Sequence, residues 1–398
     1  MPSSLDIQIC INTYKLTRLM LSSLFTTALC AFLLPANATE QHELQIEVGK
    51  QLYFDRNLSK NRTQSCATCH APEHGFVDAR GSKLKGAVSL GDDGLSFGDR
   101  SAPTASYANQ IPDFHLRQDG QYVGGQFWDG RETDLKGQAG GPPLNPIEMG
   151  MPDISSIISR LQENPFYINS FKTLYGDDIF NKPENAYQAL TISIATFEQT
   201  DFFSPFDSKY DLYLKGKYEL TEKEDLGMTL FFSEQFTNCN QCHQLSKRQT
   251  SPKEVFSDYT YHNIGVPVNT AVREHNKTPN KYVDQGLFNH PEVDNPDTIG
   301  KFKVPTLRNI AVTAPYMHNG VFKELKTVID FYNKYNSKNK KRQISPETNL
   351  PWAEPEIEQN ISLKELESGP ALDDKRISAL VAFLKILTDQ RYEHMIQP

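Results

Sequence analysis

Tryptophan occurs only twice and cysteine only six times in these 398 residues, too few cysteines for a small scaffold stapled by disulfides. No apolar run is long enough to cross a bilayer, which takes ~20 residues as a helix; the longest, Leu19 to Leu34, stops short. Positive charge is in deficit. The 41 Lys and Arg against 49 Asp and Glu leave a net charge of -8, so the field of the whole molecule repels nucleic acid. With 38% hydrophobic and 23% charged residues, the chain is too apolar to be disordered. At roughly 150 residues per domain its length predicts two or three domains, two of moderate size fitting best.

The run Leu19–Leu34 follows Lys15 and Arg18 and precedes Ala36-Asn37-Ala38, the small-x-small pattern of a signal-peptidase site. It reads as an export signal, residues 1–38, cleaved after Ala38 to leave a periplasmic protein. Lipid attachment at Cys30 is the alternative, but Leu29 stands where a small residue is needed.

Cleavage there removes Cys10 and Cys30 and leaves Cys66-Ala67-Thr68-Cys69-His70 and Cys239-Asn240-Gln241-Cys242-His243. C-x-x-C-H is the attachment pattern of a c-type haem: two thiols add to the vinyl groups and the adjacent His ligates iron. Two intervening residues let one turn present both sulfurs to one porphyrin edge while the His turns beneath the ring. A disulfide, a four-cysteine zinc site and a thioredoxin-like redox pair compete for the same cysteines, but none requires a His after each second Cys. Chance placement at this composition gives about 0.002 such pentads. The expectation is two covalently bound haems c, attached at Cys66, Cys69, Cys239 and Cys242, with His70 and His243 on the irons.

The surroundings of the two motifs repeat. Gly49-Lys50-Gln51-Leu52-Tyr53-Phe54 precedes the first and Gly227-Met228-Thr229-Leu230-Phe231-Phe232 the second. Ala102-Pro103-Thr104 is echoed by Val304-Pro305-Thr306, and Phe127-Trp128-Asp129-Gly130 by Tyr316-Met317-His318-Asn319-Gly320. Leu44, Val48 and Leu52, and again Leu226 and Leu230, have helical spacing, so each motif should follow a helix packed on a core. Further helical stripes fall at Ile154, Ile157, Ile158 and Leu161 behind Asp153 as N-cap, at Ala186, Leu190, Ile194 and Phe197, and at Ile377, Leu380, Val381 and Leu384. The expected fold is mainly α, with two cytochrome c-like haem domains related by internal duplication, residues 39–205 and 206–398, connected through 200–222. Gly81–Gly98 and Lys334–Ser362 read as long surface loops.

These residues resemble the bacterial di-haem cytochrome c peroxidase family, including its MauG/MbnH-like branch. The likeness spans nearly all of the mature chain. It rests on the two C-x-x-C-H motifs, Gln126-Phe127-Trp128-Asp129-Gly130-Arg131, Gln138-Ala139-Gly140-Gly141-Pro142, Asn145-Pro146-Ile147-Glu148-Met149, and the stretches 304–309 and 313–320. It implies a helical protein whose N-terminal haem reacts with hydrogen peroxide and whose C-terminal haem relays electrons. Glu148 matches the family's distal acid, suited to moving a proton between the two oxygens of a peroxide. Gln138 and Pro142 match residues of the same pocket. Trp128 matches the tryptophan between the haems, and Arg131 is the match for pairing with a haem propionate. The resemblance further implies a calcium ion on the carbonyls of Thr313 and Pro315, weakened because Ser101 stands where the family has Asn.

Two departures from the ordinary peroxidase pattern set the expected chemistry. Asp92, in Ser89-Leu90-Gly91-Asp92, stands where typical members carry a His that ligates the first haem at rest. That iron should therefore be open without reductive activation. At the second haem the position of the usual Met ligand falls at Tyr332, as in MauG-like enzymes, with Met317 the competing ligand. The resemblance then implies a periplasmic oxidoreductase that reduces peroxide to water through a ferryl or bis-Fe(IV)-type state. Its electrons would come from a small cytochrome c or copper protein or, in the MauG/MbnH-like alternative, from Trp or Tyr residues of a partner protein. A non-enzymatic electron carrier is the rival class and needs both irons six-coordinate. Homodimers are common in the family, although no residue here specifies an interface.

Overall fold

In the computed structural model the described residues are 35–81, 84, 86–245, 253–279 and 281–396. The expected export segment lies outside them except for its end, where the helix Pro35–Phe54 begins. No helix among the described residues is long and apolar enough to cross a membrane. The fold is mainly helical. Strand is confined, among the described residues, to two short antiparallel pairs, His115–Leu116 with Tyr122–Val123 and Tyr261–His262 with Phe302–Lys303.

Two helix pairs build the two halves. Pro35–Phe54 packs on Pro183–Glu198, and Glu222–Phe232 packs on Asp374–Lys385. Each pair crosses at a glycine: a Cβ on Gly49 would lie 1.9 Å from the carbonyl oxygen of Ser193, and one on Gly227 2.0 Å from that of Ala379. Only a residue without a side chain lets the backbones come this close. Val48, Leu52, Ile157, Leu161, Leu190 and Ile194 belong to the first core, and Leu230, Phe231, Ile377, Leu380 and Phe383 to the second. The helical stripes read from the sequence are thus buried faces. Asp153 caps its helix by accepting from the backbone N–H of Ser156 at 2.7 Å.

The halves repeat backbone devices as well. Phe76 and Phe256, which follow the first and second motifs, both have φ 56°. Phe127 and Met317 (φ 63° and 72°) lead into Gly130 and Gly320 (φ 71° and 64°). Two expectations for the connections change. The link at 200–222 contains a helix, Lys209–Leu214, started by a capping box in which Ser208 and Asp211 bond each other's backbone. Asp211 is held there because it also binds the buried Arg308 at 2.6 Å. Lys334 does not open a loop but lies in the last turn of the helix Leu325–Asn336.

Candidate active site

The second motif enters from the helix Glu222–Phe232 as a single turn, Cys239–Gln241. The backbone N–H of His243 donates to the carbonyl of Cys239 at 3.0 Å, and its Nδ1 lies 2.8 Å from the carbonyl oxygen of Phe256. A ring N–H given to a carbonyl leaves Nε2 as a bare lone pair for a metal. Burial lowers the pKa of His243, which keeps the ring neutral. Cys239, Cys242 and His243 line a largely apolar cavity of about 310 Å³, within the roughly 300–1,000 Å³ of ligand pockets.

Tyr332 and Met317 both line this cavity. Burial, then the nearby thiols of Cys242 and Cys239, push the pKa of the Tyr332 phenol up; no hydrogen bond to it exists among the described residues. Met317 turns its carbonyl to the hydroxyl of Ser101 at 3.0 Å. Trp128 joins the same wall, its indole N–H donating to the carbonyl of Ser101 at 2.9 Å. Ser101, Thr313 and Pro315 are brought together on that wall, as is His318, which burial pushes down to about 3.

The first motif is built the same way. His70 donates its backbone N–H to the carbonyl of Cys66 at 2.9 Å, its Nδ1 is 3.3 Å from the carbonyl of Phe76, and its carbonyl accepts from the Tyr53 hydroxyl at 2.9 Å. Glu148 lies close enough to Cys69 for its charge to raise the pKa of that thiol. Burial raises the pKa of Glu148 itself; Arg131 and the amide of Asn145, which donates to Oε1 at 2.8 Å, limit the rise. Gln138 lies in the short helix Leu135–Gly140. Pro142 opens the turn Pro142–Leu144, and its carbonyl accepts from Met149, which ties this turn to the Glu148 segment.

Asp92 is fully occupied. Its carboxylate accepts from Ser59 Oγ at 2.7 Å, from the backbone N–H of Asn61 at 2.6 Å and from Thr63 Oγ1 at 2.6 Å. Burial alone would raise its pKa, but the Thr63 and Ser59 hydroxyls lower it overall. Its backbone N–H donates to the carbonyl of Glu148 at 2.8 Å. A Cβ on Gly91 would fall 2.6 Å from the carbonyl oxygen of Ile147, so the two loops are pressed together.

Arg131 pairs with Asp129 at 2.9 Å and lies 3.6 Å over the Phe127 ring. Sequence reasoning missed Arg100, which binds Asp129 at 2.7 Å and Asp284 at 2.6 Å, both carboxylates buried. It also missed the carbonyls of Phe76 and Phe256 that orient the two histidines. The signal for those was present as Phe76-Val77-Asp78 and Phe256-Ser257-Asp258, one after each motif.

Among the described residues Cys66, Cys69, Cys239 and Cys242 form no disulfide. No cluster of three or more His, Cys, Asp or Glu side chains exists among the described residues. Paired thiols, a neutral His with a free Nε2, and an apolar cavity holding an unpaired phenol fit a c-type haem. A calcium ion would depend on carbonyls and on a Ser101 hydroxyl already donated to Met317.

These features define an oxidoreductase with covalently held redox cofactors. A family model described as di-haem cytochrome c peroxidase matches residues 43–219. The methylamine utilization protein MauG of Paracoccus denitrificans is 48% identical over 92% of this chain and 95% of its own length. The cytochrome c peroxidase Ccp of Escherichia coli is 34% identical over 69% of this chain and 50% of its own. The diheme peroxidase BthA from Burkholderia thailandensis superposes with a TM-score of 0.76 at 30% identity, covering 89% of this chain and 88% of that one. The chain belongs to the di-haem cytochrome c peroxidase family, MauG included, and carries two c-type haems.

Proposed function

We propose that the protein uses hydrogen peroxide at its N-terminal haem and takes the two electrons from Trp or Tyr residues of a partner protein, as a MauG-like enzyme. The observation that carries this reading is that Tyr332 lines the same cavity as Cys239, Cys242 and His243. The likeness to a methylamine utilization protein over 95% of its length supports the same reading. The second reading, electrons from a small cytochrome c or copper protein, is supported by the peroxidase relatives and uses the same pocket.

The first haem supplies reduction of the peroxide O–O bond, in which two electrons and two protons give two waters. The chain holds and aims. His70, with Nδ1 3.3 Å from the Phe76 carbonyl, would present Nε2 to the iron. Glu148, with its pKa raised by burial, carries a proton between the peroxide oxygens. Gln138 and Pro142 would line the peroxide site beside Glu148, and Asp92, spent on its own donors, would supply no ligand to that haem. Trp128, on the wall of the second-haem cavity, would bridge electron transfer between the haems. Arg131 keeps the donors not given to Asp129 for a propionate. The carbonyls of Thr313 and Pro315 and the hydroxyl of Ser101 would hold a calcium ion, the Ser101 hydroxyl then giving up its bond to the Met317 carbonyl. Export to the periplasm and duplication of one domain, 39–205 into 206–398, complete the proposal; the repeated glycine crossings and φ angles support the duplication.

The test mixes holoprotein and peroxide with either reduced cytochrome c or candidate partner proteins. An added-oxygen or cross-link mass on the partner, with slow cytochrome oxidation, is expected; fast cytochrome turnover with an unchanged partner mass selects the second reading. Glu148→Gln should slow the reaction with peroxide by about 100-fold or more, read by stopped-flow absorbance. Tyr332→Phe should change the resting spectrum of the second haem only, and a spectrum identical to wild type removes Tyr332 as ligand.

A further inference from the structure

Beside the second haem cavity lies a separate polar pocket of about 460 Å³, lined among others by Tyr122, Lys301 and Lys364. His262, Ser362 and Glu365 belong to the walls of both. His262 sits at the centre of a chain of hydrogen bonds. Its Nδ1 is 3.0 Å from Ser362 Oγ, and its Nε2 is 3.0 Å from Thr260 Oγ1. The Thr260 hydroxyl donates to Asp258 Oδ1 at 2.8 Å, and the backbone N–H of Asp258 donates to the carbonyl of Cys242 at 3.0 Å.

The tautomer follows from counting hydrogens. A hydroxyl has one, and that of Thr260 is spent on Asp258, so Nε2 of His262 is the donor to Thr260. In the neutral ring Nδ1 is then an acceptor, and Ser362 must donate to it. Every hydrogen points the same way, from the polar pocket through Ser362, His262 and Thr260 to the carboxylate beside the second motif.

We propose that this chain is a proton path that couples the charge of the second haem to water in the polar pocket, with His262 as the proton acceptor. Changing a charge in a low-dielectric interior is costly unless a compensating charge moves with it. When an external reductant delivers one electron to the second haem, the Ser362 hydroxyl proton passes to Nδ1 of His262 and pocket water restores the hydroxyl. One N–H bond forms, and one proton has left the solvent for each electron that entered. Reoxidation returns the proton by the same route.

The groups around His262 suit this task. Asp258, Glu365, Lys301 and His243 are the titratable neighbours. Burial holds the imidazole below its ordinary pKa, aided by Lys301 and opposed by Asp258 and Glu365. It is therefore neutral at rest and takes a proton when the haem loses a unit of positive charge. The inference requires the second haem but no peroxide chemistry, so it stands or falls separately from the proposed reaction.

The test reduces the holoprotein with a chemical reductant in weakly buffered solution containing a pH indicator. Proton uptake approaching one per electron is expected for the second haem, with its potential falling as pH rises. His262→Gln keeps contacts to both hydroxyls but binds no proton, and should abolish the uptake and flatten the potential against pH. Ser362→Ala cuts the entry and should slow uptake while electron entry keeps its rate. An intact c-type haem spectrum shows that each variant is folded and loaded. No uptake in the wild type, equal uptake in His262→Gln, or an unchanged uptake rate in Ser362→Ala would overturn the proposal.

Discussion

Glu198 breaks the rule that buried polar groups are paired. It is 6% exposed, and its Oε2 is buried without a hydrogen-bond partner. Burial pushes its pKa up to about 8 from an ordinary 4.5, and its charge reaches Tyr53 and Cys66 beside the first motif. A folded pKa above the unfolded one means that the contribution to stability is intact below about 4.5 and is lost as pH rises through about 8. At pH 7 the cost is on the order of 3 kcal/mol. Glu198→Gln should therefore raise the urea midpoint of the holoprotein at pH 7 and leave it unchanged near pH 4. A variant that keeps the wild-type slope against pH would show that this carboxyl is not neutral inside the fold. Residues of this kind were not legible in the sequence. Tyr332 could be reached by counting from Tyr316-Met317-His318, because a motif carries its own spacing. Glu198 merely follows the stripe that ends at Phe197, and helical periodicity does not record which polar residue turns inward. His262 was passed over for the same reason: its partners, Thr260 and Ser362, define it only in three dimensions.

Among the elements, the helices that precede the motifs were legible from the helical spacing of Leu44, Val48 and Leu52 and of Leu226 and Leu230, and Gly49 and Gly227 hold matching places in the two repeats. Their physical reason appears only in the crossing, where each faces a carbonyl of the partner helix. Gly49→Ala and Gly227→Ala force those backbones apart, and overpacking of this kind costs about 1–3 kcal/mol. Each should lower the Tm of the holoprotein, whereas Gly81→Ala, whose added Cβ meets nothing within 4 Å, should not. Equal Tm values for all three would mean that the crossings have room to spread. The helix Lys209–Leu214 was illegible for the opposite reason. It is held by the Ser208 and Asp211 capping box and by Arg308, a residue remote in sequence, rather than by an apolar stripe of its own.

At the scale of the whole molecule, buried polar contacts tie distant stretches of the chain. Tyr107 donates to Asp389 at 2.5 Å, and Arg100 spans Asp129 and Asp284. Arg100 thereby places a fixed ionic clamp on Asp129, the residue after Trp128. Burial alone would raise the pKa of Asp284, but the Arg100 guanidinium overcomes this and holds it at about 2 against an ordinary 3.8. A depressed carboxyl pKa contributes stability that is complete above about 4 and is lost as pH falls through about 2, worth about 2 kcal/mol by the size of the shift. Removing one member of a buried pair costs more, about 3–5 kcal/mol, because the other charge is left without its partner. Asp284→Asn should therefore unfold at a clearly lower denaturant concentration than wild type at pH 7. The gap should narrow as pH falls from about 4 toward about 2, since acid removes the same charge from the native protein. Two curves that stay parallel over that range would show that the clamp holds these segments by shape, and that its charge contributes nothing to their association.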